Sequence, residues 1–194
     1  LTLSGMNSYS GTTTIAGGKL LINGATASAT TVAGGATLGG SGAISGSVTI
    51  NSGGTVAPGN SPGILSTGDV AFTGGSTFDV EVNGDVPGIS HDQLDVTGTV
   101  DLGGATLSAS GFVDSLAGQL IVLIKNDDTD AIVGTFAGLA EGATVNVNGV
   151  AFVISYRGGT GNDVTLTESG TMDFIGTRFD DSLELREVSI SGDD

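Results

Sequence analysis

Paired glycines between short β-rich runs recur through the first half of the chain, in TTTIAGGKLLIN, TTVAGGATLGG, VTINSGGTVAPG, DVAFTGGSTFDVEV and VDLGGATLSAS. The first glycine of each pair is residue 17, 34, 53, 74 and 103, so the steps are 17, 19, 21 and 29 residues. The insertion from Asp85 to Gln93 accounts for the long last step. A repeat near 20 residues built of strands and Gly-rich corners specifies a solenoid, with one repeat per rung.

Each rung carries only a few apolar anchors: Ile15 with Leu20 and Ile22; Val32 with Leu38; Val48, Ile50 and Val56; then Val70, Phe72, Phe78, Val80 and Val82. At about 1.5–3 kcal/mol per fully buried side chain, one rung does not offset the entropy of ordering about 20 residues. Rungs therefore stack, with strands hydrogen-bonded to those above and below at about 4.8 Å. The expected fold class is all-β, a parallel β-helix with aliphatic columns inside and Thr and Ser outside. The 35 glycines and 13% charged residues suit that architecture and not charged helical surfaces.

The sequence predicts three regions. Residues 1–117 are repeat rungs, 118–167 are final rungs with an antiparallel cap, and 168–194 are an acidic tail, a linker or the start of a next module. In the second region Gly118 to Ile124 is a continuous apolar strand, and Asn126 to Asp130 reads as a solvated loop. ATVNV and VAFVISY flank Asn148-Gly149, a type I′ hairpin signal. The chain opens at Leu1 with neither an initiator methionine nor a leader, and reads as a piece of something longer.

Two of the three prolines fall in APGNSPGIL, residues 57–65. Pro58, Gly59, Asn60, Pro62 and Gly63 read as a stiff structural corner. The prolines preset φ, and Gly59 and Gly63 take left-handed conformations.

The formal charge of −16 repels polyanions, so nucleic acid is not an expected partner. No run approaches the roughly 20 apolar residues of a membrane-spanning helix, so membrane insertion is not expected. Absence of cysteine excludes disulfides and thiolate metal sites. No acid precedes Asp69, and until that point Lys19 is the only charged side chain.

His91, the only histidine, stands between Ser90 and Asp92 in the insertion. Neighbouring side chains on extended backbone face opposite ways, so these three do not form a triad by proximity, and His91 reads as an exposed loop histidine. Asp79 and Glu81 share one face of TFDVEV, with Asp95 and Asp101 on neighbouring rungs; such carboxylates could run glycoside hydrolysis. No Lys or Arg lies between Asp69 and Gly118, and the chain has no Trp, so uronate neutralisation and sugar stacking are poorly provided. Surface solvation is the simpler role for these acids.

Gly158-Gly159-Thr160-Gly161-Asn162-Asp163 matches the start of the Ca²⁺-binding nonapeptide of repeats-in-toxin β-rolls. Those sites need adjacent copies, whereas here Thr165 takes the large aliphatic position and FDDSLEL at 179–185 is the one decayed neighbour. Asn162 and Asp163 are thus the candidate Ca²⁺ residues, set against a plain turn whose Asn-Asp pair binds its own backbone. No other cofactor is expected.

The order GGTVAPGNSPGIL, GSTFDVEVNG, HDQLDVTGTVDLGGATL, GTFAGLAEGATV and YRGGTGNDVTLT resembles the autotransporter-associated β-strand repeat. The likeness covers roughly residues 1–167. It implies a right-handed parallel β-helix serving as the passenger or stalk of an adhesin-like bacterial protein at the cell surface or outside it. The family has no common catalytic residues to carry over. The function expected is non-catalytic, structural or adhesive, and the alternative is a carbohydrate-active β-helix domain. Expected partners are neighbouring rungs of a longer chain, other copies, or extracellular carbohydrate and protein surfaces.

Overall fold

The computed structural model describes residues 1–113 and 119–169. FDDSLEL and almost all of the acidic tail lie outside them. Strands follow one another in triplets: β1 (Thr2–Leu3), β2 (Met6–Asn7) and β3 (Thr13–Ile15); β4 (Gly18–Ile22), β5 (Ala25–Thr26) and β6 (Thr30–Val32); β7 (Ala36–Gly40), β8 (Ala43–Ile44) and β9 (Val48–Ile50). Two further triplets are β10 (Thr55–Pro58), β11 (Ile64–Thr67) and β12 (Val70–Phe72), then β13 (Thr77–Glu81), β14 (Gln93–Val96) and β15 (Val100–Asp101). β16 (Thr106–Ser110), β17 (Leu120–Asn126), β18 (Thr144–Val147), β19 (Val150–Gly158) and β20 (Asp163–Glu168) complete the order. The protein is all-β, with no helix among the described residues; none is therefore long and apolar enough to cross a membrane.

From β1 to β14, each strand pairs in parallel with the third strand after it. One sheet runs β1-β4-β7-β10-β13-β16 and another β3-β6-β9-β12-β15. The remaining sheet runs β2-β5-β8-β11-β14-β17 and then turns antiparallel through β20, β19 and β18.

Register explains why a few apolar residues per triplet suffice. Leu20, Leu38, Val56, Phe78 and Leu107 are successive partners in one ladder. Ile15, Val32, Ile50 and Phe72 are partners in another. Like side chains meet like ones, so burial in one triplet is completed only by its neighbours. Between the inward columns the outward positions align Lys19, Thr37, Thr55, Thr77 and Thr106. β-Branched threonine suits this wet pleated face, because it favours extended backbone while presenting a hydroxyl to water.

An aromatic chain joins the parallel ladders to the antiparallel end. Phe72 meets Phe78 edge-on at 5.9 Å, Phe78 stacks on Phe136 at 6.0 Å, and Phe136 lies 6.2 Å from Tyr156. The Tyr156 hydroxyl donates to the Leu139 carbonyl at 2.7 Å and accepts from the Phe136 amide at 3.0 Å. Asn148 (φ 48°) and Gly149 (φ 94°) turn β18 into β19, both in the left-handed region that a type I′ turn needs.

Candidate functional site

The insertion between β13 and β14 folds back on the proline corner and forms one side of a cleft of about 580 Å³. Lys19 and Leu21 stand at one end of this cleft, Ala57 to Ser61 contribute the corner, and Asp79, Glu81, Asp92 and Phe112 also line it. Small side chains help make the hollow: Gly39 and Ala57 follow Leu21 in the ladder, so the sheet presents little above its backbone at those two places.

The corner is tighter than its sequence suggests. Gly59 is left-handed at φ 83°, but Gly63 is not; Ser61, at φ 86°, takes the other left-handed place, and the Ser61–Pro62 peptide is cis. Gly63 is needed for close approach instead. A Cβ there would lie 2.4 Å from Ser41 Oγ and 2.5 Å from Gly59 Cα, while one on Gly59 would lie 2.4 Å from Gly63 N. Pro58 closes β10 and is buried, and Asn60 donates to Asn23 Oδ1 at 3.0 Å, tying the exposed tip to an earlier triplet.

A carboxylate from the insertion fixes the corner. Asp92 is 5% exposed; its Oδ1 accepts from Gly63 N at 2.8 Å and its Oδ2 from Glu81 N at 2.9 Å. Burial raises its pKa above the ordinary value, the two amide bonds oppose that shift, and the like charges of Glu81 and Asp79 add to it. Glu81 is also held: Ser61 Oγ donates to its Oε2 and Asn83 Nδ2 to its Oε1 at 2.7 Å, and these bonds lower its pKa. Sequence reasoning missed Asp92 at the corner because 29 residues separate it from Gly63. The stretch HDQLDVTGTVDLGGATL, which carries Asp92 near its start, was the available signal.

Of the four acids singled out by sequence, Asp79 and Glu81 meet in this cleft, on one face of β13. The others lie elsewhere. Asp95 belongs to β14 and pairs with Lys125 at 3.2 Å, while Asp101 belongs to β15 and accepts from its own turn at Gly103 N, 2.9 Å away. The four acids are thus spread over three different sheets.

His91 is buried, not an exposed loop histidine. Its Nδ1 lies 3.0 Å from the Gly84 carbonyl and its Nε2 3.2 Å from that of Val122, so it docks the insertion onto β17. Ser90 binds Val86 and Asp92 the corner, so the three side chains point to separate partners. Burial lowers the His91 pKa below 6.5, against the opposing pull of the two carbonyls and Asp85. A depressed histidine stabilises the fold above its unfolded pKa and loses that contribution as pH falls through the folded value. Stability measured by urea denaturation is expected to decline as pH drops below 6.5, with a slope of up to about 1.4 kcal/mol per unit, and His91→Gln is expected to flatten that decline.

At the far end, the turn from Gly158 to Asp163 joins β19 to β20. Asp163 spends both oxygens on donors: Asn126 N reaches Oδ1 at 2.9 Å and Thr160 N reaches Oδ2 at 3.1 Å. The Asn162 side chain faces the loop after β17. Of the stretch 126–130 expected to be a solvated loop, Asp128 to Asp130 are exposed, whereas Asn126 ends β17 and is 3% exposed. Among the described residues no three His, Cys, Asp or Glu side chains gather as a metal cluster.

Comparison with protein-family models gives no match, and comparison with curated proteins gives none either.

Proposed function

We propose that this chain is a non-catalytic structural or adhesive segment of an extracellular bacterial surface protein, wound as a right-handed parallel β-helix. The strand-to-third-strand pairing and the in-register aliphatic columns support the winding, and right-handed crossovers are the rule where parallel strands are joined. The motifs from PGNSPG to GGTGND resemble those of exported passenger stalks and support the location. The antiparallel strands β18 to β20 act as the cap. At the opposite end the outer edges of β1, β2 and β3 have no strand pairing among the described residues, and Leu1 and Met6 are exposed beside them. A further winding, of a longer chain or of another copy, fits those edges.

One observation carries the non-catalytic reading. In the cleft beside the proline corner, Asp92 and Glu81 are braces: all four of their carboxylate oxygens accept bonds from the protein's own N–H and O–H groups. Glycoside hydrolysis works with a pair of carboxylates, and of the three acids lining the cleft Asp79 alone is not braced in this way.

Two measurements test the proposal. Duplicating residues 36–54, one full triplet, is expected to give a folded chain longer by about 4.8 Å in small-angle scattering; a folded chain of unchanged length would overturn the solenoid. Incubation with neutral and uronate-containing polysaccharides is expected to leave their chain length unchanged. Shortening that Asp79→Asn or Glu81→Gln abolishes would replace the structural role with a carbohydrate-active one.

A further inference from the structure

Two oppositely charged side chains share the cleft beside the proline corner without meeting. Lys19 is exposed, and its stem lies across the floor of the cleft: a Cβ added to Gly39 would stand 3.3 Å from Lys19 Cε. Gly39 is the partner of Ala57, and Val56 is the partner of Phe78, so in that register Asp79 stands beyond Ala57. Two ladder steps of about 4.8 Å thus separate the strand beneath the Lys19 stem from the strand that carries Asp79. Among the described residues neither side chain has a hydrogen bond or an ion pair, the one ion pair being that of Lys125 with Asp95.

The two ends of the cleft differ in character. At the Asp79 end Glu81 adds a second negative charge, which its bracing bonds leave in place, and Phe112 presents a ring that is 82% exposed. The Phe112 N–H donates to Asn83 Oδ1 at 2.8 Å and Asn83 Nδ2 donates to Glu81, so the ring is tethered beside the acids. Carboxylates and an aromatic face both attract an ammonium group. At the other end Lys19 is the only cation lining the cleft, and it attracts a carboxylate. A simple anion is repelled by a chain of formal charge −16, and a simple cation leaves Lys19 unanswered. A ligand with both charges, set apart, answers both ends.

An extended peptide advances about 3.3–3.6 Å per residue, so about two or three residues cover two ladder steps. We infer that this cleft binds a free zwitterionic peptide of that length, its ammonium group against Asp79, Glu81 and the Phe112 ring and its carboxylate against Lys19. Gly39 and Ala57 leave the space between the two ends open for the peptide backbone, and Asn60 at the exposed tip of the corner offers an amide to it. No bond is made or broken. The site rests on the non-catalytic reading of this cleft and gives the adhesive role a class of ligand.

Isothermal titration calorimetry of the whole chain with trialanine tests this. A dissociation constant on the order of 1 mM is expected from the affinity per atom usual for small ligands. N-acetyl-trialanine lacks the ammonium group and trialanine amide lacks the carboxylate, and each is expected to bind about three- to tenfold more weakly. Asp79→Asn is expected to weaken trialanine and to erase its advantage over the N-acetyl form while keeping its advantage over the amide; Lys19→Met is expected to do the reverse. Both side chains lack bonded partners, so both variants are expected to keep the parent's melting midpoint. Absence of binding up to about 10 mM trialanine would overturn the peptide site. So would a blocked peptide that binds as tightly as trialanine, variants that leave both preferences intact, or tighter binding of maltotetraose, which would make the cleft a site for neutral glycan. Trialanine recovered intact keeps the non-catalytic reading whether or not it binds, whereas cleaved trialanine would overturn that reading and the site together.

Discussion

Phe78→Ala is expected to lower the unfolding free energy by about 3–5 kcal/mol, measured by equilibrium urea denaturation. The ring is fully buried and serves two neighbours at once. In the ladder it is the partner of Val56 and Leu107, and across the interior it stacks on Phe136 with an interplanar angle of 4°. Truncation removes apolar area and leaves a cavity that rigid strand backbones on either side close poorly, which puts the loss toward the upper part of that range. Leu20→Ala, nearer the end of the same column, is expected to cost less because fewer triplets lie beyond it. A Phe78→Ala loss below about 1 kcal/mol would mean that Phe136 is not seated on Phe78, and that the antiparallel end does not share the core of the ladders.

Asp92→Ala is expected to cost about 2–4 kcal/mol, because it leaves the Gly63 and Glu81 amides without their acceptor in a tight corner. Loss of the buried charge offsets part of this, since burial already disfavours ionised Asp92. The pKa is raised on folding, so Asp92's own contribution is fully present below 3.8 and fades as pH rises through the folded value. Its trend is thus opposite to that of His91. Amide hydrogen exchange reads the effect locally: Gly63 and Glu81 are expected to lose protection in the variant, while Val32 and Ile50 keep theirs. Unchanged exchange at Gly63 would show that the corner holds without its carboxylate.

Much of the interior was legible because it repeats. Each anchor named from the glycine spacing, from Ile15 to Val82, is buried, since a position that recurs once per triplet lands in the same column each time. The Asn148-Gly149 hairpin was equally local, as both left-handed residues are adjacent in sequence. What escaped were contacts that depend on how far the insertion reaches. His91 looked exposed because the Val122 carbonyl that receives it lies 31 residues away. Asn126 looked like the start of a solvated acidic loop because the pattern NDDTD is polar, yet the register of β17 against β14 sets it above Val96. Gly63 was correctly marked as special but for the wrong reason. Crowding by Ser41 and Gly59 excludes a side chain there, and crowding between segments leaves no trace in local propensity.

The triplets stack in the order of the sequence, and the first acid, Asp69, comes only between β11 and β12. The uneven spread of charge along the chain therefore becomes an uneven spread in space, with a nearly neutral beginning and an acidic remainder. Such a molecule experiences a torque in an external field: near an anionic surface its acidic part swings outward and its first strands turn inward, an orientation that added salt progressively erases.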